Sequence, residues 1–263
     1  MREAAARSLP PEDVYGHATK VRFFREAIDA ERARKGRRLR VLDFGCGSGD
    51  TVARYLAADD LDYTGIDIHP PSLDYARRHF GRPTTRFLDH LPRDVVYDII
   101  VYGDVLEHID EPAALLREHA ELLVDDGVIV GSVPNGYGGF ENERRLDRLL
   151  RLSDIARVTV RGLRRLRGRP ATNPRRNPVP FNEGSPHVVF FTKRSLTRTL
   201  SSAGLEIVRF AHGSFVGADL SGSTVLTPRA LIDLNARVAD HLPSWAVSTW
   251  HFAARKRDQA GLR

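Results

Sequence analysis

The run Val41-Leu42-Asp43-Phe44-Gly45-Cys46-Gly47-Ser48-Gly49-Asp50 carries an apolar stretch into a glycine-rich turn. Glycines there let the backbone approach a ligand closely, and a helix beginning after the turn offers unpaired N–H groups. Twenty-two residues after Gly45, Asp67 closes a second apolar stretch in Thr64-Gly65-Ile66-Asp67-Ile68-His69-Pro70. A carboxylate at that place can accept both hydroxyls of a ribose. A tight turn without a ligand uses the same glycines; the acid at the end of the next strand adds the nucleoside signature. Dinucleotide-binding turns read GxGxxG, whereas this one reads GxGxG and follows an acid, Asp43. An acid at that point suits a cationic ligand and opposes a pyrophosphate.

These residues carry a resemblance. VLDFGCGSG resembles motif I of the class I S-adenosylmethionine-dependent methyltransferases, and GIDIHP resembles their ribose-binding segment. DVLEHIDEP, from Asp104 to Pro112, resembles the segment after strand four in the branch that includes the ubiquinone-biosynthesis O-methyltransferases. GVIVGSVPN resembles strand five, and HVVFFTKRSLTRTLSSAGLEIV resembles the late helix-and-strand unit. The similarity is close over residues 39–135 and looser over 186–211. It implies a Rossmann-like α/β fold with a doubly wound, mostly parallel seven-stranded sheet. It implies S-adenosylmethionine as methyl donor, with S-adenosylhomocysteine as product. The acceptor would be an oxygen or nitrogen of a small molecule: a specialised metabolite, a quinone-like precursor or a sugar. It further implies that Asp43, Gly45 and Gly47 surround the methionine portion, and that Gly103 lines the same pocket. Asp67 would hold the ribose, Ile68 would lie against the adenine, and Asp89 would face the adenine amino group with His90 beside it.

Methyl transfer is an in-line displacement that needs alignment and, for a hydroxyl acceptor, a place for the proton. His108 and Glu107 follow the fourth strand, near the transferred methyl. In the ubiquinone-type relatives two acids and a histidine in this segment are associated with a divalent metal; here they would be Asp104, Glu107 and His108. The plainer expectation is local hydrogen bonding at the start of the next helix, with no metal ligand assigned and Mg²⁺ as the alternative. His187 is a candidate for acceptor contact, with a structural histidine as the alternative. Tyr137, after Pro134-Asn135-Gly136, could likewise face the acceptor or pack within its loop. Tyr15 and His17 are expected to fold over the site from an N-terminal lid. Cys46 reads as a small packing residue.

The elements that must position these groups alternate. Strands are expected at Leu39–Phe44, Tyr63–Ile66, Thr85–Leu88, Tyr97–Tyr102 and Gly127–Val133, and helices at about Ser48–Ala57, Pro70–Phe80 and Glu111–Leu123. Residues 14–34 read as an amphipathic helix. Tyr97–Tyr102 is a continuous apolar run of the kind buried on both faces of a parallel sheet. Later come a helix at Lys193–Ala203, Gly204 as its cap, a strand at Leu205–Phe210, a helix at Pro228–His241 and a last strand near Ala246–Ala254. One domain results: a lid over 1–38, a cofactor core over 39–136, an Arg-rich insertion over 137–186 with a helix around Glu143–Arg167, and a C-terminal part over 187–263 holding a second helical insertion.

The net charge of +6 is uneven. Residues 141–180 hold twelve Arg and four acids, so that segment is +8 and the remainder is −2. A local basic segment points to an anionic small-molecule acceptor, an anionic membrane surface touched by Leu146, Leu149, Leu150 and Ile155, or a solvated cap. Nucleic acid is the lesser expectation, as RNA methylation through the arginines, because aromatic stacking platforms are sparse among them. One cysteine excludes an internal disulfide framework and a thiol zinc cluster. The absence of a leader-like or bilayer-length apolar run reads as cytoplasmic. A monomer or homodimer is expected.

Overall fold

A computed structural model describes residues 9–58, 60–150, 179–182, 184–217 and 228–257. A helix α1, His17–Lys35, precedes strand β1, Leu39–Phe44. Then follow α2 (Ala53–Leu56), β2 (Leu61–Ile66), α3 (Pro70–Phe80), β3 (Thr85–Leu88) and β4 (Tyr97–Gly103). A 3₁₀ turn at Leu106–His108 leads to α4 (Pro112–Glu121), β5 (Leu123–Pro134) and α5 (Gly139–Leu150). The chain continues through α6 (Lys193–Ser202), β6 (Leu205–His212), α7 (Arg229–His241) and β7 (Thr249–Lys256). The seven strands run in the order β3-β2-β1-β4-β5-β7-β6, parallel from β3 to β5, with β7 antiparallel to both its neighbours. This is the Rossmann-like, mostly parallel sheet that the motifs imply.

Period-two alternation splits each central strand between two cores. Leu39, Val41, Ile99 and Val101 face Val21, Phe24 and Ile28 of α1, with Leu73 and Ala76 of α3. Leu42, Ile100 and Tyr102 face Leu116 of α4, Leu196 and Leu200 of α6 and Ala239 of α7. Helices on both faces are why β4 is buried from Tyr97 to Tyr102. The order reverses between β1 and β4, and at such a switch point the two adjacent loops diverge and leave a crevice beyond the strand ends. Register brings those ends level: Phe44 pairs with Ile66, Ile66 with Leu88 and Asp43 with Val101. Gly45, Asp67, Asp89 and Gly103 therefore stand at one edge of the sheet.

The opposite edge is tied by charge. Asp98 is fully buried and accepts from Lys35 Nζ at 2.9 Å, Arg37 at 2.9 and 2.6 Å, and the Arg40 N–H at 2.9 Å. Every lone pair is engaged, as a buried carboxylate requires.

Several boundaries differ from expectation. The helix expected over Ser48–Ala57 is confined to Ala53–Leu56, because Gly49 holds a left-handed φ of 73° and turns occupy the residues before it. The first helix begins at His17, not at residue 14, behind Gly16 at φ 77°. Strand β5 starts at Leu123 rather than Gly127, through a register shift opposite Tyr97 and Ile99. Strand β7 starts at Thr249 rather than Ala246, since Trp245 and Val247 give their carbonyls to the Asn135 side chain. Helix α5 opens the Arg-rich segment four residues before Glu143; its expected continuation to Arg167, with Ile155, lies outside the described residues. Gly204 caps α6 at φ 76°, as expected. Among the described residues no helix is long and apolar enough to cross a membrane.

Candidate active site

The turn after β1 is built on Gly45, Gly47 and Gly49, at φ 75°, 55° and 73°. Side chains at two of them would collide. A Cβ on Gly45 would lie 2.6 Å from Val105 Cγ2, and one on Gly49 would lie 2.9 Å from the Phe80 ring. A Cβ on Gly47 would meet nothing within 4 Å, so this residue faces open space. The Gly47 N–H donates to Asp67 Oδ2 at 2.8 Å, and the His69 N–H donates to Asp67 Oδ1 at 2.8 Å. These bonds fix the Asp67 carboxylate and leave each oxygen a lone pair for a ribose hydroxyl. Beside it Ile68 is 83% exposed, an aliphatic surface at the sheet edge. Asp89 and His90 are both exposed and bonded to each other at 2.8 Å, and this bond lowers the Asp89 pKa.

Below the turn Asp43 is buried and accepts from the Tyr63 hydroxyl. Burial pushes its carboxyl up to about 7, with the Asp67 charge acting the same way and Tyr63 and Lys20 opposing. Cys46 is buried beside it, and burial raises its thiol pKa, in keeping with a packing residue. Gly103 ends β4, where a Cβ would press Val52 at 3.2 Å. Asp104 follows at φ 59°. Its Oδ2 accepts from Lys20 Nζ at 2.6 Å and its Oδ1 from Ser132 Oγ at 2.5 Å. Enclosure would raise the Asp104 carboxyl, but Lys20 and Ser132 outweigh it and hold the pKa at about 2.

A second group gathers around the turn after β4. The Glu107 carbonyl accepts the N–H groups of Val188 and Val189 at 2.8 and 3.0 Å, which stitches the segment before α6 to the turn after β4. The stitch brings His108 and His187 together, ring centroids 4.9 Å apart. His108 Nδ1 lies 2.9 Å from the Pro186 carbonyl and His187 Nδ1 lies 2.7 Å from Glu141 Oε1. Both partners can only accept once Glu141 is ionised, so each Nδ1 carries a proton, and in a neutral ring Nε2 is then left with the lone pair. Glu141 is held ionised: burial would raise it, but His187 and the nearby arginines bring its pKa below the usual value. Glu107 is buried, its Oε2 has no hydrogen-bond partner, and burial with the Asp104 charge raises its pKa well above the usual value. Burial and the neighbouring His187 lower the His108 pKa. Ligand atoms of Glu107, His108 and His187 all lie within 4.8 Å of one another.

Asp104, expected beside Glu107 and His108, is instead engaged by Lys20 and Ser132, and His187 takes the third place. Tyr137 stands at the rim, 58% exposed, with the Arg145 guanidinium 5.3 Å over its ring and 5.2 Å over that of Phe190. His17 Nε2 reaches the Thr51 carbonyl at 2.7 Å, which ties α1 to the glycine turn, and Tyr15 meets the Phe140 ring edge-on. Sequence reasoning passed over Lys20, Ser132 and Glu141. Glu141 carried a faint signal, as the first acid of an amphipathic helix in an arginine-rich stretch.

Comparisons with known proteins bear on the fold and the family. The family model described as "Methyltransferase domain" matches residues 15–209. A 105-residue stretch is 32% identical to the ubiquinone biosynthesis O-methyltransferase of Yersinia enterocolitica serotype O:8 / biotype 1B, covering 36% of this chain and 43% of that protein. The chain thus spans about two fifths of the length of the curated relatives it matches. Among solved structures, the plantazolicin methyltransferase BpumL aligns with a TM-score of 0.51 at 13% identity, over 93% of this chain and 86% of that one. The [4+2]-cyclase SpnF aligns at 0.50 and 17% identity, over 87% and 79%. At such identities these two show a shared fold alone. The family match runs from Tyr15 to Arg209, across the glycine turn, Asp67 and the Glu107–His108–His187 group, and the chain belongs to the methyltransferase domain family.

Proposed function

We propose that this chain moves a methyl group from S-adenosylmethionine to an oxygen or nitrogen of a small molecule and releases S-adenosylhomocysteine. The observation that carries this reading is the left-handed turn whose Gly47 faces open space beside a fixed Asp67 carboxylate. A nucleoside with a cationic tail suits it better than a dinucleotide, because Asp43 near the end of β1 and Asp104 after the neighbouring β4 are acids that oppose a pyrophosphate. The acceptor would enter over Tyr137. Arg145, held between the Tyr137 and Phe190 rings, sets a positive charge at that rim and supports an aromatic or acidic acceptor. His187 Nε2, backed by Glu141, can take the proton of an acceptor hydroxyl. The alternative of RNA methylation rests on the Arg-rich insertion over 137–186, of which 151–178 lie outside the described residues. Calorimetry with S-adenosylhomocysteine tests the donor: wild-type protein is expected to bind it, and Asp67→Ala to weaken it at least tenfold. No binding by wild-type protein overturns the reading.

The same acceptor-side group fits a divalent cation, beyond the metal-free expectation. The partnerless, buried Glu107 Oε2 is the fitting observation, and both histidines are oriented through Nδ1 in the way that metal-bound imidazoles are held. Two imidazoles and a carboxylate suit Mn²⁺, Fe²⁺ or Zn²⁺ better than Mg²⁺. When bound, such an ion supplies Lewis acidity toward an acceptor hydroxyl. Metal analysis after dialysis against Mn²⁺ or Zn²⁺ is expected to find one ion per chain, lost in His108→Ala. A chain that stays metal-free leaves His187 and Glu141 as the base.

A further inference from the structure

The crossovers from β1 to β2 and from β2 to β3 carry α2 and α3, and Leu73 and Ala76 of α3 pack on the sheet face that holds Tyr63 and Phe87. The return from β3 to β4 is different. It spans residues 89–96, passes β2 and β1, and carries no helix. Leu91 and Val95 of this connection pack on the second face, with Leu42 and Ile66. A parallel sheet is normally covered on both faces. Here the connection lays no helix over the starts of the strands, and the side chains there are polar: Arg40 of β1, Asp62 and Thr64 of β2, and Arg86 of β3. Arg40 stands opposite Asp62 in the register, and Thr64 opposite Arg86. With Tyr97, Thr84 and Val95 they line a cavity of about 360 Å³.

Tyr97 is 1% exposed, yet its hydroxyl has no hydrogen-bond partner, and neither has Thr84 Oγ1. A buried hydroxyl without a partner is costly. Thr64 Oγ1 accepts from Arg86 Nε at 3.2 Å. Among the described residues neither Arg40 nor Arg86 has a carboxylate for its guanidinium; it is the Arg40 N–H that reaches Asp98. Asp62, the acid of the lining, is 52% exposed and takes Arg38 at 3.3 Å. Both guanidinium charges bear on the Tyr97 hydroxyl, with Asp94 opposing them. Two cations and two hydroxyl donors thus share one space whose carboxylate is paired elsewhere. We propose that this cavity binds a terminal phosphoryl group, carried by a small phosphate monoester or free as inorganic phosphate. Arg40 and Arg86 pair with its oxygens, and the Tyr97 hydroxyl donates to it from the floor. A terminal phosphoryl group offers three oxygens to these three donors, whereas a phosphodiester or a carboxylate offers two. The cavity lies toward the strand starts, while Gly45, Asp67 and Gly103 stand at the strand ends. The site is therefore separate from the glycine-turn crevice and independent of the donor reading.

Three probes test it at equal ionic strength: glycerol 3-phosphate, inorganic phosphate, and dimethyl phosphate as a diester. Calorimetry is run on wild-type, Arg40→Gln, Arg86→Gln and Tyr97→Phe proteins, with melting curves to confirm folding. Tyr97→Phe keeps the ring and removes only the unpartnered hydroxyl, so it is expected to melt no lower than wild type. Wild-type protein is expected to bind glycerol 3-phosphate and inorganic phosphate but not dimethyl phosphate. Each arginine variant is expected to weaken both ligands at least about tenfold, and Tyr97→Phe at least about threefold. Tighter binding of glycerol 3-phosphate assigns the site to a phosphorylated small molecule, and binding of inorganic phosphate at least as tight assigns it to the free anion; both uphold it. If neither ligand binds wild-type protein, or if folded variants bind as wild type does, the assignment is overturned. Dimethyl phosphate binding as tightly as glycerol 3-phosphate overturns it as well, because a terminal phosphoryl group is then not what the cavity reads.

Discussion

At the residue scale, two glycines two positions apart have different reasons to be glycine. Gly45 is confined by Val105, so Gly45→Ala combines a left-handed φ with a collision and is expected to destabilise the fold by more than the roughly 1–2 kcal/mol that left-handed backbone alone costs. Gly47→Ala carries only the conformational cost, but its methyl would stand in the open space beside Asp67. We expect Gly47→Ala to melt near wild type while binding S-adenosylhomocysteine at least tenfold more weakly, with melting curves and calorimetry as the paired readout. Asp43 makes a pH prediction. Its carboxyl is raised by burial to about 7, so the neutral form is favoured in the native state, and its stabilising effect is lost as pH rises from the unfolded value near 4 through about 7. A cationic donor favours the ionised form. Affinity for S-adenosylmethionine is therefore expected to rise between pH 6 and 8 with release of a proton, and Asp43→Asn to flatten that profile.

At the scale of elements, the strand edge opposite the site is set by Asp98. Burial would raise its carboxyl, yet Arg37, the Arg40 N–H and Lys35 outweigh burial and bring its pKa below the usual value. A lowered acid contributes stability above its unfolded pKa near 4 and loses it as pH falls through the folded value. Asp98→Ala removes the shared acceptor and leaves Lys35, 6% exposed, with Asp126 alone. The expected loss is about 3 kcal/mol by urea denaturation, with weaker acid sensitivity below pH 4 than wild type. Donor affinity should change little in comparison, because Asp98 stands at the far end of β4 from Gly103. Helix α1 links both ends: Lys35 reaches Asp98 and Lys20 reaches Asp104. Hydrogen exchange is the direct probe of that link. Amides of α1 near Lys20 are expected to gain protection when S-adenosylhomocysteine binds, while those of β4, already at the centre of the sheet, change little.

At the scale of the whole molecule, the glycine-turn half of the candidate site was legible in the chain and the Glu107–His108–His187 half was not. Strand–turn–strand spacing sets the positions of Gly45, Gly47, Asp67, Asp89 and Gly103 without reference to anything distant, because parallel pairing brings successive strand ends level. Apolar runs and glycine turns are local properties, so the sheet, its helices and its glycine caps could be read from composition along the chain. The errors fell at boundaries, where a left-handed Gly49 or the Asn135 side chain overrode local periodicity. The second group depends on residues far apart in sequence. Glu107 and His108 meet His187 only because Val188 and Val189 donate back to the Glu107 carbonyl, and His187 is oriented only because α5 turns Glu141 toward it. Asp104 stood three residues before Glu107 and looked like its partner, but a left-handed backbone and Lys20, 84 positions away, claimed it. The sequence by itself determined the fold class and the glycine turn with its facing Asp67, since backbone conformation and short-range spacing decide both. Only the tertiary structure decided which charges pair across the crevice, because a buried charge takes the partner that packing delivers, whatever its distance along the chain.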